Sequence, residues 1–147
     1  LVGLCFGHQA IAKALGGQVT RSKTGWNIGC VPVELTTGGE NILNLAQQSC
    51  LYAFHQDSIA VLPKNARSLG STMLCKNFIV EFKKSVIGFQ GHPEFDVAYM
   101  QGLLDINIAN LDRRELTYVE ETLKKASHSD AVRRFIINYI KKNRLRF

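Results

Sequence analysis

Cys5 stands between two glycines, Gly3 and Gly7, where an apolar run from Leu1 to Leu4 meets a helical pattern from Gln9 to Leu15. A residue placed between a buried strand and a helix sits on a sharp turn. Glycines two before and two after it let the backbone pass without Cβ clashes. The order Gly-x-Cys-x-Gly is that of a nucleophile elbow with cysteine at its centre. The thiol is expected above the end of the strand. The N-terminal amides of the following helix would then face the sulfur and favour thiolate. The other reading is a buried structural cysteine beside a tight turn, and this stretch alone weighs the two evenly.

A second stretch breaks the tie. His92-Pro93-Glu94 follows directly on an apolar run, Val86 to Gln90. Proline disfavours the helical conformation in the residue before it, so His92 is held extended. Residues i and i+2 of an extended segment point the same way. His92 and Glu94 therefore project side by side at a strand end. That suits a histidine that moves a proton and a carboxylate that orients it. In open α/β sheets, sites gather at the C-terminal ends of strands. Each residue alone has a plainer role, His92 as a loop residue and Glu94 as a charge at a helix start. The conjunction with the elbow cysteine fills three roles of one site.

The elements that position these residues read as follows. Leu1–Cys5 is a buried parallel strand, and His8–Leu15 is a helix stopped by Gly16-Gly17. A loop carrying Arg21, Lys23 and Gly25-Trp26 follows. Ile28–Leu35, with Pro32 inside it, is an edge strand or hairpin arm. Thr36-Thr37-Gly38-Gly39 is a turn, and Asn41–Gln48 is a short helix. Leu51–Phe54 and Ile59–Leu62 are strands on either side of His55-Gln56-Asp57. Ala66–Ser71, Phe78–Phe82 and Val86–Gln90 are three successive strands, the last two joined through Lys83-Lys84-Ser85. Asp96 caps a helix that runs to Ile108. Thr117 and Glu120, at capping-box spacing, open a helix to about Ala126. The last helix starts near Ser129 and carries Val132, Phe135, Ile136, Tyr139 and Ile140 as a core stripe.

Composition sets the limits. With 147 residues, 46% of them hydrophobic, the chain can build one domain with a real core. No apolar run approaches a membrane span, and no basic region followed by an apolar stretch marks a secretory start. Cys5, Cys30, Cys50 and Cys75 are widely spaced without a C-x-x-C pair, which argues against zinc and redox motifs. A reduced, cytoplasmic protein is the simplest expectation. Residues 1–110 carry 8 Lys/Arg against 7 Asp/Glu, whereas residues 111–147 carry 10 against 5. A solvated helix face accounts for this basic excess better than nucleic acid does, because the charges alternate with apolar positions.

Taken together, Gly3-Leu4-Cys5-Phe6-Gly7-His8-Gln9 and Gly88-Phe89-Gln90-Gly91-His92-Pro93-Glu94 resemble the class I, triad-type glutamine amidotransferases. The similarity covers at least residues 1–110. It is greatest to the stand-alone, GMP-synthase-like amidotransferases, which include the γ-glutamyl peptidases. Gly25-Trp26-Asn27-Ile28-Gly29 and the Gly91-His92-Pro93-Glu94-Phe95 form suggest that subgroup. The expected fold is α/β and flavodoxin-like: an open, mostly parallel sheet with flanking helices, an antiparallel hairpin region and C-terminal helices.

The resemblance implies roles. Cys5 attacks the side-chain amide of glutamine, His92 shuttles the proton, and Glu94 holds His92. The backbone amide of Phe6 is one oxyanion donor. Gln9 holds the α-amino-acid end of the substrate, and His55-Gln56-Asp57 is a second substrate segment acting largely through backbone. For His55 and Asp57 a capping or turn role weighs nearly as much. Family members carry further strands and a glycine-rich oxyanion loop upstream of the elbow. The chain is therefore expected to be an N-terminally truncated domain over 1–110, starting at the nucleophile strand, with 111–147 a helical extension packed on it. The sequence has no phosphate-binding loop or nucleotide fingerprint, so an ATP-dependent amination would lie on a synthetase partner chain or domain. Glutamine or another γ-glutamyl small molecule is the expected substrate, with no cofactor and no metal. A γ-glutamyl peptidase with the same three residues is the alternative, and a non-catalytic protein that keeps the fold is another.

Overall fold

The computed structural model describes residues 1–23 and 25–144; Thr24 and positions 145–147, the end of the expected extension, lie outside the described residues. In chain order the elements are β1 (Val2–Leu4), α1 (Phe6–Ala14), β2 (Gln18–Arg21), β3 (Asn27–Leu35), α2 (Thr37–Leu43), β4 (Gln48–His55) and β5 (Asp57–Val61). They continue with β6 (Arg67–Ser71), β7 (Ile79–Lys83), β8 (Val86–Phe89), α3 (Val97–Asn107), a 3₁₀ turn (Ile108–Asn110), α4 (Arg113–Leu123) and α5 (Ser129–Arg144).

Six strands form one sheet in the order β1-β8-β7-β6-β3-β4, and β2 pairs with β5 in a separate ribbon. The fold is α/β, as expected. Within it the described sheet is mixed, and its antiparallel share is larger than the sequence suggested. Only β1 and β8 run parallel, with Val2 opposite Ile87 and Leu4 opposite Phe89. The β3–β4, β3–β6, β6–β7 and β7–β8 pairs are antiparallel; short connections reverse the chain between β6, β7 and β8, whereas β3 meets β6 across α2, β4 and β5. The parallel β1–β8 pair joins the two strands whose ends carry Cys5 and His92.

Helices cover both faces. On one, Phe78, Phe89, Leu51 and Leu69 pack with Val132 of α5. On another, Cys30 and Tyr52 pack with Met100 of α3 and Val119 of α4. A third cluster joins Ala12 of α1 to Val80, Phe82 and Ile59. The helices beyond residue 110 thus contribute to the same apolar clusters as the strands. His128, just before α5, also accepts a hydrogen bond at Nδ1 from the Cys50 amide at 3.0 Å.

Several local expectations are corrected. The stretch read as a loop at Arg21 belongs to β2; Val19 is its only apolar residue, so it shows no alternating pattern, and its pairing with β5 makes the strand. The turn read at 36–39 is the start of α2. Thr36 is the N-cap, its Oγ1 accepting from Gly39 N at 3.0 Å, and the two glycines lie inside the first turn. A Cβ at Gly39 would run into the Leu69 carbonyl, so glycine there marks close packing rather than a turn. Helix α4 opens at Asp112 and Glu115, which form the capping box, not at Thr117 and Glu120. Thr117 is mid-helix, its hydroxyl donating back to Arg113 O at 2.9 Å. Both pairs have the right spacing; only Asp112 sits in extended backbone. In α5, Val132 is buried and Phe135, Ile136 and Tyr139 pack on the core, but Ile140 is 49% exposed and lies off the stripe. Strand β1 is the outermost of the six, and Val2 and Leu4 are half-buried rather than buried.

Candidate active site

Cys5 is the N-cap of α1, with φ 44° and ψ −103°. A side chain in that left-handed region is strained by about 1–3 kcal/mol. Both sides of the residue are tied. Its amide donates to Phe89 O at 2.8 Å, continuing the β1–β8 ladder, and its carbonyl accepts the first helical bond from Gln9 N at 3.1 Å. Cys5 itself therefore absorbs the change from strand to helix. Of the flanking glycines, Gly3 is required by packing: a Cβ there would lie 2.7 Å from the carbonyl carbon and oxygen of Gly7. A Cβ at Gly7 would meet nothing within 4 Å. The clash argument from the sequence thus applies to Gly3 and not to Gly7.

His92 comes to this elbow from the end of β8. Its amide donates to Tyr52 O at 2.8 Å, which fixes the segment against β4. Its ring stacks on Phe95, with centroids 4.0 Å apart and planes within 6°. Nδ1 lies 2.7 Å from Glu94 Oε1. Cys5 is the other side chain that bears on the ring, by hydrogen bonding and charge. Burial alone would lower the His92 pKa. The hydrogen bonds to Cys5 and Glu94, and their charges, outweigh it and push the pKa up to about 9. Burial raises the Glu94 pKa, but the bond to His92 outweighs that and holds its carboxyl below the usual range. At neutral pH the pair is an ionised carboxylate and a protonated imidazole. The loop between them is latched from α5, where Arg133 Nη1 donates to Pro93 O at 2.6 Å.

Gln9 is buried on the first turns of α1. Its Nε2 donates to Asp57 O at 2.9 Å and to Gln90 Oε1 at 3.1 Å. Gln90, with no exposed surface, in turn donates from Nε2 to Cys5 Sγ at 3.6 Å. Neither Gln90 nor Phe95 was singled out from the sequence as a site residue. The signal for Gln90 was present: it lies two residues before His92, so the alternation that pairs His92 with Glu94 extends to it.

The 55–57 segment meets the site through Asp57, and through its carbonyl rather than its exposed side chain. His55 is buried and fully committed: Nδ1–H donates to the same Asp57 carbonyl at 2.9 Å, and Nε2 accepts from Asn27 Nδ2 at 3.1 Å. Burial lowers its pKa to about 4, which keeps this neutral form. Its side chain shapes the turn. Gln56 faces away, its Oε1 accepting from Arg21 and its carbonyl from Ser22 N. Phe6 is the first residue of α1, a position whose N–H has no partner within the helix, and its side chain is 78% exposed.

Cys5, His92, Glu94, Gln9, Gln90 and the Asp57 carbonyl therefore form one connected cluster. All four cysteines are free. Among the described residues no group of three His, Cys, Asp or Glu side chains is placed to hold a metal ion. No helix among them is long and apolar enough to cross a membrane.

The chain is similar to known proteins. A glutamine amidotransferase-like protein of Schizosaccharomyces pombe is 34% identical over 111 residues, which is 72% of this chain and 42% of that protein. Gamma-glutamyl peptidase 2 of Arabidopsis thaliana is 30% identical over 141 residues, 92% of this chain and 53% of the peptidase. The crystal structure of a glutamine amidotransferase of Thermotoga maritima shares the fold, with a TM-score of 0.72 at 23% identity, over 95% of this chain and 61% of that one. The chain thus spans about half the length of the curated relatives it matches. The glutamine amidotransferase class-I profile matches residues 1–103, a span that holds every residue of the cluster around Cys5, and the chain belongs to that family.

Proposed function

We propose that the Cys5 cluster hydrolyses a γ-glutamyl amide. The observation that carries this reading is the contact between a strained elbow cysteine and a histidine held by a carboxylate at 2.7 Å. The sulfur attacks the side-chain carbonyl carbon of glutamine, forming a C–S bond. The Phe6 amide faces the oxygen that gains charge. His92, already protonated, gives its proton to the leaving nitrogen, the C–N bond breaks, and ammonia departs. Water then attacks the thioester as His92 takes a proton from it. Glutamate leaves, and the sulfur departs as a thiolate beside the reprotonated His92, the same pair in which it attacked. Glu94 keeps the imidazole in place throughout. Gln9 has its nitrogen committed to Asp57 and Gln90, and so offers its oxygen to the substrate's α-ammonium.

In the amidotransferase form of this reading, ammonia passes to an acceptor bound by a synthetase partner chain or domain. A second reading keeps the chemistry and enlarges the leaving group. The match to the Arabidopsis gamma-glutamyl peptidase covers 92% of this chain and so extends into the C-terminal helices, which the class-I profile does not. A cytoplasmic setting accords with either reading, since the thiol must stay reduced.

The decisive experiment offers glutamine and γ-glutamyl dipeptides separately and measures ammonia and amine release. Ammonia from glutamine supports the amidotransferase form; cleavage of the dipeptides alone supports the peptidase. If neither is released, and Cys5 alkylates no faster than Cys50, the protein keeps the fold without the activity.

A further inference from the structure

Gln90 has no exposed surface and sits between the sulfur and the side chain proposed to hold the substrate. The direction of every bond in this relay is fixed by chemistry. The Asp57 carbonyl only accepts, so Gln9 meets it with nitrogen. The second proton of that nitrogen goes to Gln90, which must therefore present its oxygen. The Gln90 amide group is then turned so that its NH₂ faces Cys5 Sγ. A reversed Gln90 would set two NH₂ groups against each other, and Gln90 would no longer donate to the sulfur.

We infer that Gln90 is a positioning residue, whose amide orients the Cys5 sulfur for attack and ties that orientation to Gln9. The inference rests on the reading of Cys5 as the nucleophile. It explains why a fully buried, uncharged polar side chain stands beside a thiol that His92 already contacts. Imidazole handles the proton, whereas the Gln90 amide donates to the sulfur whatever the protonation state of His92. Because Gln9 fixes the Gln90 amide, a displacement at the substrate end is transmitted to the sulfur through two hydrogen bonds.

The experiment measures iodoacetamide alkylation of each cysteine across pH, by peptide mass mapping, in the full chain. Gln90→Met fills the same space and removes both bonds. Gln90→Glu keeps an acceptor for Gln9 but donates to the sulfur only when its carboxyl is protonated. Cys30 and Cys75 are buried and report folding, since they stay unlabelled while the core is closed.

Alkylation of Cys5 in Gln90→Met is expected to slow on the order of tenfold at pH 7. For Gln90→Glu, the ratio of wild-type to variant rate should grow as pH rises, because only the variant side chain titrates. Gln9→Met should slow the same reaction less, and the double variant should be no slower than Gln90→Met, the non-additivity expected of a relay. Should Gln90→Met expose Cys30 or Cys75, Gln90→Glu carries the test by its pH-dependent ratio. A Gln90→Met rate within about twofold of wild type, with the fold intact, overturns the inference. So does a Gln90→Glu ratio that is flat with pH. If wild-type Cys5 itself reacts no faster than Cys50, the nucleophile reading has failed and the relay has nothing to serve. If wild-type Cys5 is fast and the Gln90 variants match it, the relay alone is wrong.

Discussion

The backbone of Cys5 offers a direct thermodynamic test of the elbow. Its φ of 44° is strained for any residue with a Cβ and free for glycine. Comparing Cys5→Gly with Cys5→Ala isolates that strain, because both variants lose the thiol and its contact with His92. Relief of the strain should favour glycine by about 1–3 kcal/mol. The greater freedom of glycine in the unfolded chain offsets about 0.4–1 kcal/mol of this. Cys5→Gly should therefore be more stable than Cys5→Ala by about 0.5–2 kcal/mol. For a chain of this size that corresponds to a Tm difference of roughly 2–6 °C. Calorimetry or urea unfolding followed by circular dichroism reads it. If the glycine variant melts at or below the alanine variant, the elbow is not strained. The idea that the fold forces Cys5 into its reactive posture would then be wrong.

Three further outcomes follow from the same geometry. His92, raised to about 9 from an ordinary 6.5, favours its protonated form in the folded state. Its stabilising effect is complete below pH 6.5 and is lost as pH rises through 9; urea midpoints should show this loss in wild type and less of it in His92→Ala. His8 and His55 are both lowered to about 4 by burial, so their contribution is present above pH 6.5 and lost as pH falls toward 4. Between those limits the unfolding free energy should fall by up to about 2.7 kcal/mol per pH unit, the value for two protons. Gly3→Ala should destabilise by about 1–3 kcal/mol through overpacking against the Gly7 backbone, whereas Gly7→Ala, with open space around it, should not. Parallel thermal melts of the two variants check that contrast.

What was legible in the sequence was legible for physical reasons. The elbow, the His-Pro-Glu run and the strands around them combine apolar runs with residues that restrict the backbone, and such signals survive without tertiary context. Asp96 was readable as a cap because its carboxylate binds a local amide, Tyr99 N at 2.8 Å. The errors fall where the deciding partner is distant. Strand β2 exists through β5, some forty residues on. Gly38-Gly39 reads as a turn until the Leu69 backbone closes against it. Thr117-Glu120 and Asp112-Glu115 share one spacing, and only the extended conformation of Asp112 separates them. At the site, His55 shows the same limit: its type suggested chemistry, but Asn27 and the Asp57 carbonyl occupy both ring nitrogens. Gln90 is the converse, a residue of unremarkable type whose place is set by three elements meeting.

The Arg133 bond to Pro93 also bears on how the molecule opens. The segment that presents His92 has little regular structure of its own, and part of its order comes from a helix some forty residues downstream. The N-terminal end of that helix is tied to β4 through His128 and Cys50. Fraying of α5 past Arg133 would free the His92–Glu94 loop at a free energy well below that of global unfolding. Amide protons of that loop and of the first turns of α5 would then exchange as one cooperative unit. The readiness of the site is thus partly a property of the most basic and most distal part of the chain.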